Sequence, residues 1–188
     1  MEKYIAGKYT IRNAEKKDKE RILEIYAYAR KFMAENGNPD QWKNNNPSEE
    51  VIDADITGQH LYVIEDNSCD DVSERIIEGV KDGSRIHGVF YFRIGKDDTY
   101  SVIEDGQWLS DEEYGTIHRI AGDGTLHGVL SMAVEFADSK ISHLRIDTHN
   151  DNKIMQHVIV KNGFKRCGII HVRDGSARIA YEKTDNLI

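Results

Sequence analysis

Two turns in the second half of the chain carry residue types suited to holding an anion. Gly122-Asp123-Gly124-Thr125-Leu126-His127-Gly128 separates the extended run His118–Ala121 from an apolar helical run that reaches Phe136. Farther on, Leu144-Arg145-Ile146-Asp147-Thr148-His149 meets Asn150-Asp151-Asn152 and a second helical run that stops at Asn162-Gly163-Phe164. Each turn hands a strand to a helix at the same edge of a sheet. The first N–H groups of such helices have no intrahelical partner, and the helix dipole favours negative charge there. A phosphate-bearing cofactor is the expected guest.

A sheet with flanking helices must position these turns. Tyr9–Arg12 reads as a short strand, followed by Lys16–Glu35, where Ile22, Ile25, Tyr26, Ala29, Phe32 and Met33 recur at helical spacing. Asn36-Gly37-Asn38-Pro39 stops that helix, because Asn and Gly suit a left-handed cap and Pro cannot continue it. A second, short helix is predicted from Asn46-Pro47-Ser48-Glu49, with Asn46 as N-cap and Pro47 in the first turn. Leu61–Ile64 and Ile86–Ile94 read as strands, and the acidic 66–85 segment between them as a long loop or an extra hairpin. Turns at Glu104-Asp105-Gly106 and Ser110-Asp111-Glu112-Glu113 surround Trp108. Thr116–Ala121 and Leu144–Asp147 are the strands that enter the two polar turns.

Val129, Met132, Ala133, Phe136 and Ala137 form one helix face, and Ile154, Met155, Val158 and Ile159 another, capped by Gly163. Arg166–Val172 and Ala177–Glu182 form a hairpin turned by Arg173-Asp174-Gly175-Ser176. The order is β-α-α-β-β-β-α-β-α-β-β, without linker or repeat. One α/β (α+β) domain spanning residues 1–188 accounts for it.

Composition narrows the partners. Thirty-nine per cent hydrophobic and 31% charged residues are ordinary for a core-forming soluble chain. A formal charge of −8 argues against general nucleic-acid binding and is compatible with cationic small molecules. No apolar run approaches the roughly 20 residues of a membrane span, and Met1–Lys8 lacks the apolar segment of a signal peptide. Cys69 and Cys167 have no metal-ligand spacing and read as reduced thiols of a cytoplasmic protein.

The glycine loop fits neither of the common nucleotide motifs. A dinucleotide fingerprint needs its third glycine where His127 stands, and no Gly-Lys-Ser/Thr follows for a P-loop. The chain instead resembles the GNAT family of acyl-CoA-dependent N-acyltransferases, from Tyr9-Thr10-Ile11-Arg12-Asn13-Ala14 to Asn162-Gly163-Phe164. The resemblance is carried by His118–Ala121, Leu144–Gln156, Asp53-x-Asp55-Ile56 and Ile103-Glu104-Asp105-Gly106-x-Trp108.

The family's diphosphate loop, Gln/Arg-x-x-Gly-x-Gly/Ala, falls on Thr125–Leu130. Gly128 matches, while Thr125 and Leu130 depart from the pattern. A thiol-protonating Tyr common in the family is replaced by Ile159. The implied fold is a mixed, mostly antiparallel sheet of six to seven strands, splayed at a cofactor cleft and flanked by about four helices. The implied activity is transfer of an acetyl group from acetyl-CoA, without a metal, to a primary amine of a small molecule or peptide. The alternative is a non-catalytic CoA-binding or regulatory domain, and the oligomeric state is left open up to a homodimer.

The resemblance also implies site residues. Ile120, Ala121, Leu126, His127, Gly128, Val129, Leu130, Ser131, His149, Asn152 and Met155 fall at cofactor-facing positions. Asn152 is equally a helix N-cap, and Met155 equally core. An attacking amine needs a free lone pair, so a general base is sought, with His118 first, then His149 and Tyr114, and Glu104 behind them. Trp42, in the connection between the first two helices, and Trp108 are candidate walls of the acceptor site, or equally tryptophans capping the core edge.

Overall fold

The computed structural model describes residues 3–67 and 85–185. Eight strands form one sheet: β1 (Lys3–Ala6), β2 (Tyr9–Asn13), β3 (Leu61–Asp66), β4 (Ile86–Ile94), β5 (Gly115–Gly122), β6 (Leu144–Thr148), β7 (Lys165–His171) and β8 (Ala177–Lys183). Their spatial order is β1-β2-β3-β4-β5-β6-β8-β7. Every neighbouring pair is antiparallel except β5 and β6. The described residues add four α-helices: α1 (Lys19–Glu35), α2 (Glu49–Thr57), α3 (Val129–Asp138) and α4 (Lys153–Lys161).

Alternation along the central strands builds two cores. Val63 and Val89 point to the face covered by α1 and α2, where they meet Ile22, Ile25, Tyr26 and Ile52. Their neighbours Ile64 and Phe90 point to the opposite face, against Ala133, Phe136 and Ala137 of α3 and Ile159 of α4. This period of two is what a sheet covered on both faces requires. Each fully buried isoleucine or phenylalanine contributes about 1.5–3 kcal/mol. A third cluster, Tyr100, Tyr114, Ile170 and Ala180 with Trp108 against it, lies where the 95–114 connection packs over β7 and β8.

Four details differ from the sequence expectations. β1 supplies an eighth strand, turned onto β2 through Gly7 and Lys8, with Gly7 at φ 62°. Four residues on a sheet edge are too few to show periodicity. Helix α1 starts at Lys19, because Lys16–Asp18 is a 3₁₀ turn pulled tight by buried Asp18, which accepts from Glu15 N at 2.8 Å and Arg12 Nη1 at 2.7 Å. The N-cap of α2 is Ser48, whose Oγ accepts from Val51 N; Asn46 and Pro47 precede the helix. Tyr28 and Phe32 of α1 are exposed on a cleft wall, and Ala29 and Met33 line it beside them, so the helical stripe runs from core into cleft. Most of the 66–85 loop-or-hairpin expectation, at 68–84, lies outside the described residues.

Candidate active site

The cleft exists because β5 cannot pair fully on either side. Its parallel ladder with β6 ends at Ile117 opposite Ile146. Beyond that pair the two strands part, as a splay between them requires. On the other side Tyr91 pairs with His118 and Val89 with Ala121, so Arg119 and Ile120 together oppose Phe90. That bulge places Arg119 in the left-handed region at φ 48°. The Tyr26 hydroxyl donates to Arg119 O at 2.9 Å, and the Arg119 guanidinium sits 4.3 Å from the Tyr91 ring centroid and 2.7 Å from Asp55 Oδ2. A cleft of about 950 Å³ opens from this point between α1, the α1–α2 connection, β5, β6 and the first turns of α3 and α4.

At one end of the cleft the α3 N-terminus is open. Gly128 is the N-cap at φ 80°, no side chain caps it, and a Cβ built there meets nothing within 4 Å. The loop before it is braced from beneath by Asp123. Its Oδ1 accepts from Thr125 N at 2.9 Å and Thr125 Oγ1 at 2.6 Å, and Oδ2 accepts from Arg21 Nη2 at 2.6 Å. His87 Nδ1 lies 3.0 Å from the same Oδ2. Burial pushes the Asp123 carboxyl up, but the Thr125 and His87 hydrogen bonds outweigh it and leave the pKa below the usual value. Thr125 therefore serves the loop's own scaffold. Leu130, 4% exposed, packs into the main core, so it leaves the backbone donors uncrowded. An open, uncapped helix end with room above a glycine fits a diphosphate. Gly128→Val, which fills the open space above the helix end, is expected to weaken binding of a diphosphate-bearing ligand there at least tenfold. Unchanged affinity in calorimetry places the diphosphate elsewhere.

At the α4 end, Asn152 is the N-cap, its Oδ1 accepting from Met155 N at 3.0 Å while its Nδ2 donates to Gln41 Oε1 at 2.9 Å. Met155 and Val158 line the cleft, whereas Ile159 is fully buried in the core. Trp42 lines the cleft edge-on to Tyr26, 5.5 Å between centroids.

His118 lies inside the splay with both ring nitrogens on carboxylates: Nε2 is 3.0 Å from Asp97 Oδ2 and Nδ1 3.3 Å from Asp147 Oδ1. Ionised carboxylates only accept, so a ring between two of them must carry both protons. Burial pushes the His118 pKa down, but Asp147 and Asp97 outweigh it and the net direction is up. Asp97 goes the other way: its burial is outweighed by His118 and Thr99, and its pKa falls well below the usual range. Tyr100 donates its hydroxyl to Asp147 Oδ1 at 2.8 Å, and Arg178 Nε stands 4.0 Å from Asp147 Oδ2. Carboxylates on both sides of the ring thus favour the protonated form of His118.

Most of the expected residues meet in this cleft: His118, Ile120, Ala121, Leu126, His127, Gly128, Val129, Leu130, Asn152, Met155 and Trp42 all line it. Five others are placed elsewhere. The Tyr114 hydroxyl accepts from Asp97 N at 3.0 Å, so it acts one layer back. Trp108 stacks on Tyr100 at 5.3 Å and donates Nε1 to Tyr100 O. His149 takes the Asp151 N–H on Nδ1 within its own turn. Ser131 is exposed on the α3 surface, and Glu104 bridges to His171 at 3.4 Å. Asp97, Asp147 and Arg178 went unremarked as site residues in the sequence. Their signal was an acid at the carboxyl end of a strand beside the splay, and an Asp-x-Thr turn.

The eight-stranded sheet with this splay and bulge is the fold of the GNAT acetyltransferases. The solved structure described as a GNAT-family acetyltransferase from Streptococcus agalactiae matches at 28% identity and TM-score 0.76, covering 98% of this chain and 99% of that one. A GNAT-family acetyltransferase from Listeria monocytogenes matches at 19% identity and TM-score 0.63, over 97% and 99% of the two chains. The NatC complex bound to Gag peptide and CoA matches at 12% identity and TM-score 0.52, over 95% and 99%. No protein-family model and no curated protein sequence matches the chain.

Proposed function

We propose that this single-domain chain is an N-acetyltransferase that passes an acetyl group from acetyl-CoA directly to a primary amine of a small molecule or peptide. The observation that carries this reading is the splayed β5–β6 cleft with an uncapped, glycine-led helix end at its mouth. The backbone N–H groups at Gly128, Val129 and Leu130 would hold the diphosphate, and Ile120, Ala121, Asn152 and Met155 would line the pantetheine arm. The amine enters from the Trp42 side. Its lone pair forms the C–N bond at the thioester carbon, the C–S bond breaks, and the thiolate takes a proton from water, because Ile159 has none to give. The proton shed by the amine nitrogen passes to the Asp147 carboxylate or to water beside it. His118 contributes as the cation that fixes Asp97 and Asp147. Cys167 is no rival nucleophile: burial and the neighbouring Glu182 push its thiol up to about 12.

A second reading, a CoA-binding domain without turnover, is favoured by Ile159 alone. Calorimetric titration with acetyl-CoA followed by thiol release against a panel of amines, amino acids and peptides separates the two. Binding with turnover of any panel member supports transfer. Binding without turnover supports the second reading, and absence of binding at millimolar acetyl-CoA sinks both.

A further inference from the structure

The α1–α2 connection that carries Trp42 is tied to two other elements through the Gln41 side chain. Gln41 Oε1 accepts from Asn38 Nδ2 at 2.8 Å, from Asn152 Nδ2 at 2.9 Å and from Thr148 Oγ1 at 3.5 Å. These donors come from the end of α1, the cap of α4 and the end of β6. The orientation of the amides is fixed by chemistry: Asn152 Oδ1 is committed to the backbone N–H of Met155, so Asn152 must present its nitrogen and Gln41 its oxygen. Gln41 also offers its backbone oxygen to Arg178 Nη2 at 3.5 Å, and Arg178 in turn faces Asp147. One residue therefore ties the Trp42 wall to the cofactor helix and to the proton-handling cluster.

We infer that Gln41 is a positioning residue for the acceptor, bracing the Trp42 wall against the N-cap of the cofactor helix. Its role at the acceptor rests on the acetyltransferase reading, whereas the brace itself does not. Only an acceptor atom is used at the hub, so a carboxylate serves in its place and an isosteric hydrocarbon does not. Asn152 keeps its cap in either case, so CoA affinity depends little on Gln41.

Two variants, Gln41→Leu and Gln41→Glu, test this. The cleavage rate after Lys43 is scored against the rates at the other exposed lysines of the same protein, so that a general loss of stability, which speeds all of them, is separated from local opening. Lys43 is exposed in the same connection and offers a tryptic site. In the leucine variant, trypsin is expected to cut after Lys43 about tenfold faster than in the wild type, as losing a buried hydrogen-bond acceptor implies. The acceptor KM rises about tenfold, with kcat at saturation and CoA affinity within about threefold. The glutamate variant restores both cleavage rate and KM. Equal cleavage of the leucine variant and wild type overturns the brace, whatever the activity assays give. A faster cut with an unchanged acceptor KM overturns the positioning role. A faster cut in a protein that binds CoA but turns over no amine upholds the brace and sinks the acetyltransferase reading.

Discussion

Arg145→Ala is expected to lower stability by about 3–5 kcal/mol, the largest loss of any single substitution considered for this chain. Arg145 is 4% exposed and its partner Glu182 is fully buried. Arg145 Nε donates to Glu182 Oε1 at 2.9 Å, and its guanidinium lies 4.0 Å from the Trp108 centroid and 3.9 Å from the Tyr114 centroid. Its Nη2 donates to Ser110 O at 2.6 Å. His143 Nε2, at 2.5 Å, and Leu109 N complete the shell of Glu182. Truncating the arginine leaves a buried carboxylate without its permanent cation and opens a slot between two aromatic rings. For a chain of this size that loss corresponds to a fall in Tm of roughly 6–20 °C. CoA affinity should hold, because the cluster stands apart from the cleft lining. The double replacement Arg145→Met with Glu182→Leu should recover only part of the loss, because it removes the unpaired charge but leaves His143 Nε2, Leu109 N and Ser110 O without their partners. A single alanine variant that melts within about 2 °C of wild type would show that the pair carries no such load.

The same cluster explains how the sequence was legible in one respect and opaque in another. Local signals gave the elements well: Asn36-Gly37-Asn38-Pro39 ends α1, Ile86–Ile94 is β4 residue for residue, and Gly175 turns the last hairpin. Each depends on neighbours within a few residues. Trp108 stands out as a site candidate because a tryptophan outside a periodic run has no local reason to be there, and Tyr114 as a candidate base because its hydroxyl has no local partner in the sequence. Their reason is Arg145, more than thirty positions away from both, a contact that only the fold creates. The departures at Thr125 and Leu130 likewise looked like erosion of a binding loop. In three dimensions Thr125 is held by Asp123 and Leu130 packs in the core, so neither departure closes the open end of α3. Position on its strand singles out His118, whereas its partners Asp97 and Asp147 come from a loop and from the next strand, and no spacing rule joins those three.

His118→Gln should therefore reduce kcat by about a hundredfold while leaving CoA affinity within about twofold. Glutamine can donate to one carboxylate but carries no charge. Asp97 and Asp147 then face each other without the cation between them, and the arrangement that holds both carboxylates at the splay is lost. The pH dependence fixes the sign. The folded pKa of His118 lies above its ordinary 6.5, so its stabilising contribution is complete below that value and lost as pH rises through the folded pKa. Asp97 is depressed below its ordinary 3.8, so its share is complete above that value and lost only as pH falls through the lower folded one. The pair is whole between these limits, and wild-type stability should decline as pH rises above about 6.5 and through the folded pKa of His118. The glutamine variant should lack that decline, so its deficit against wild type shrinks as the solution becomes alkaline. Denaturant midpoints of both proteins across that range test it. A deficit that stays constant, or turnover that survives the substitution intact, removes the imidazolium from the site and returns proton transfer to water alone.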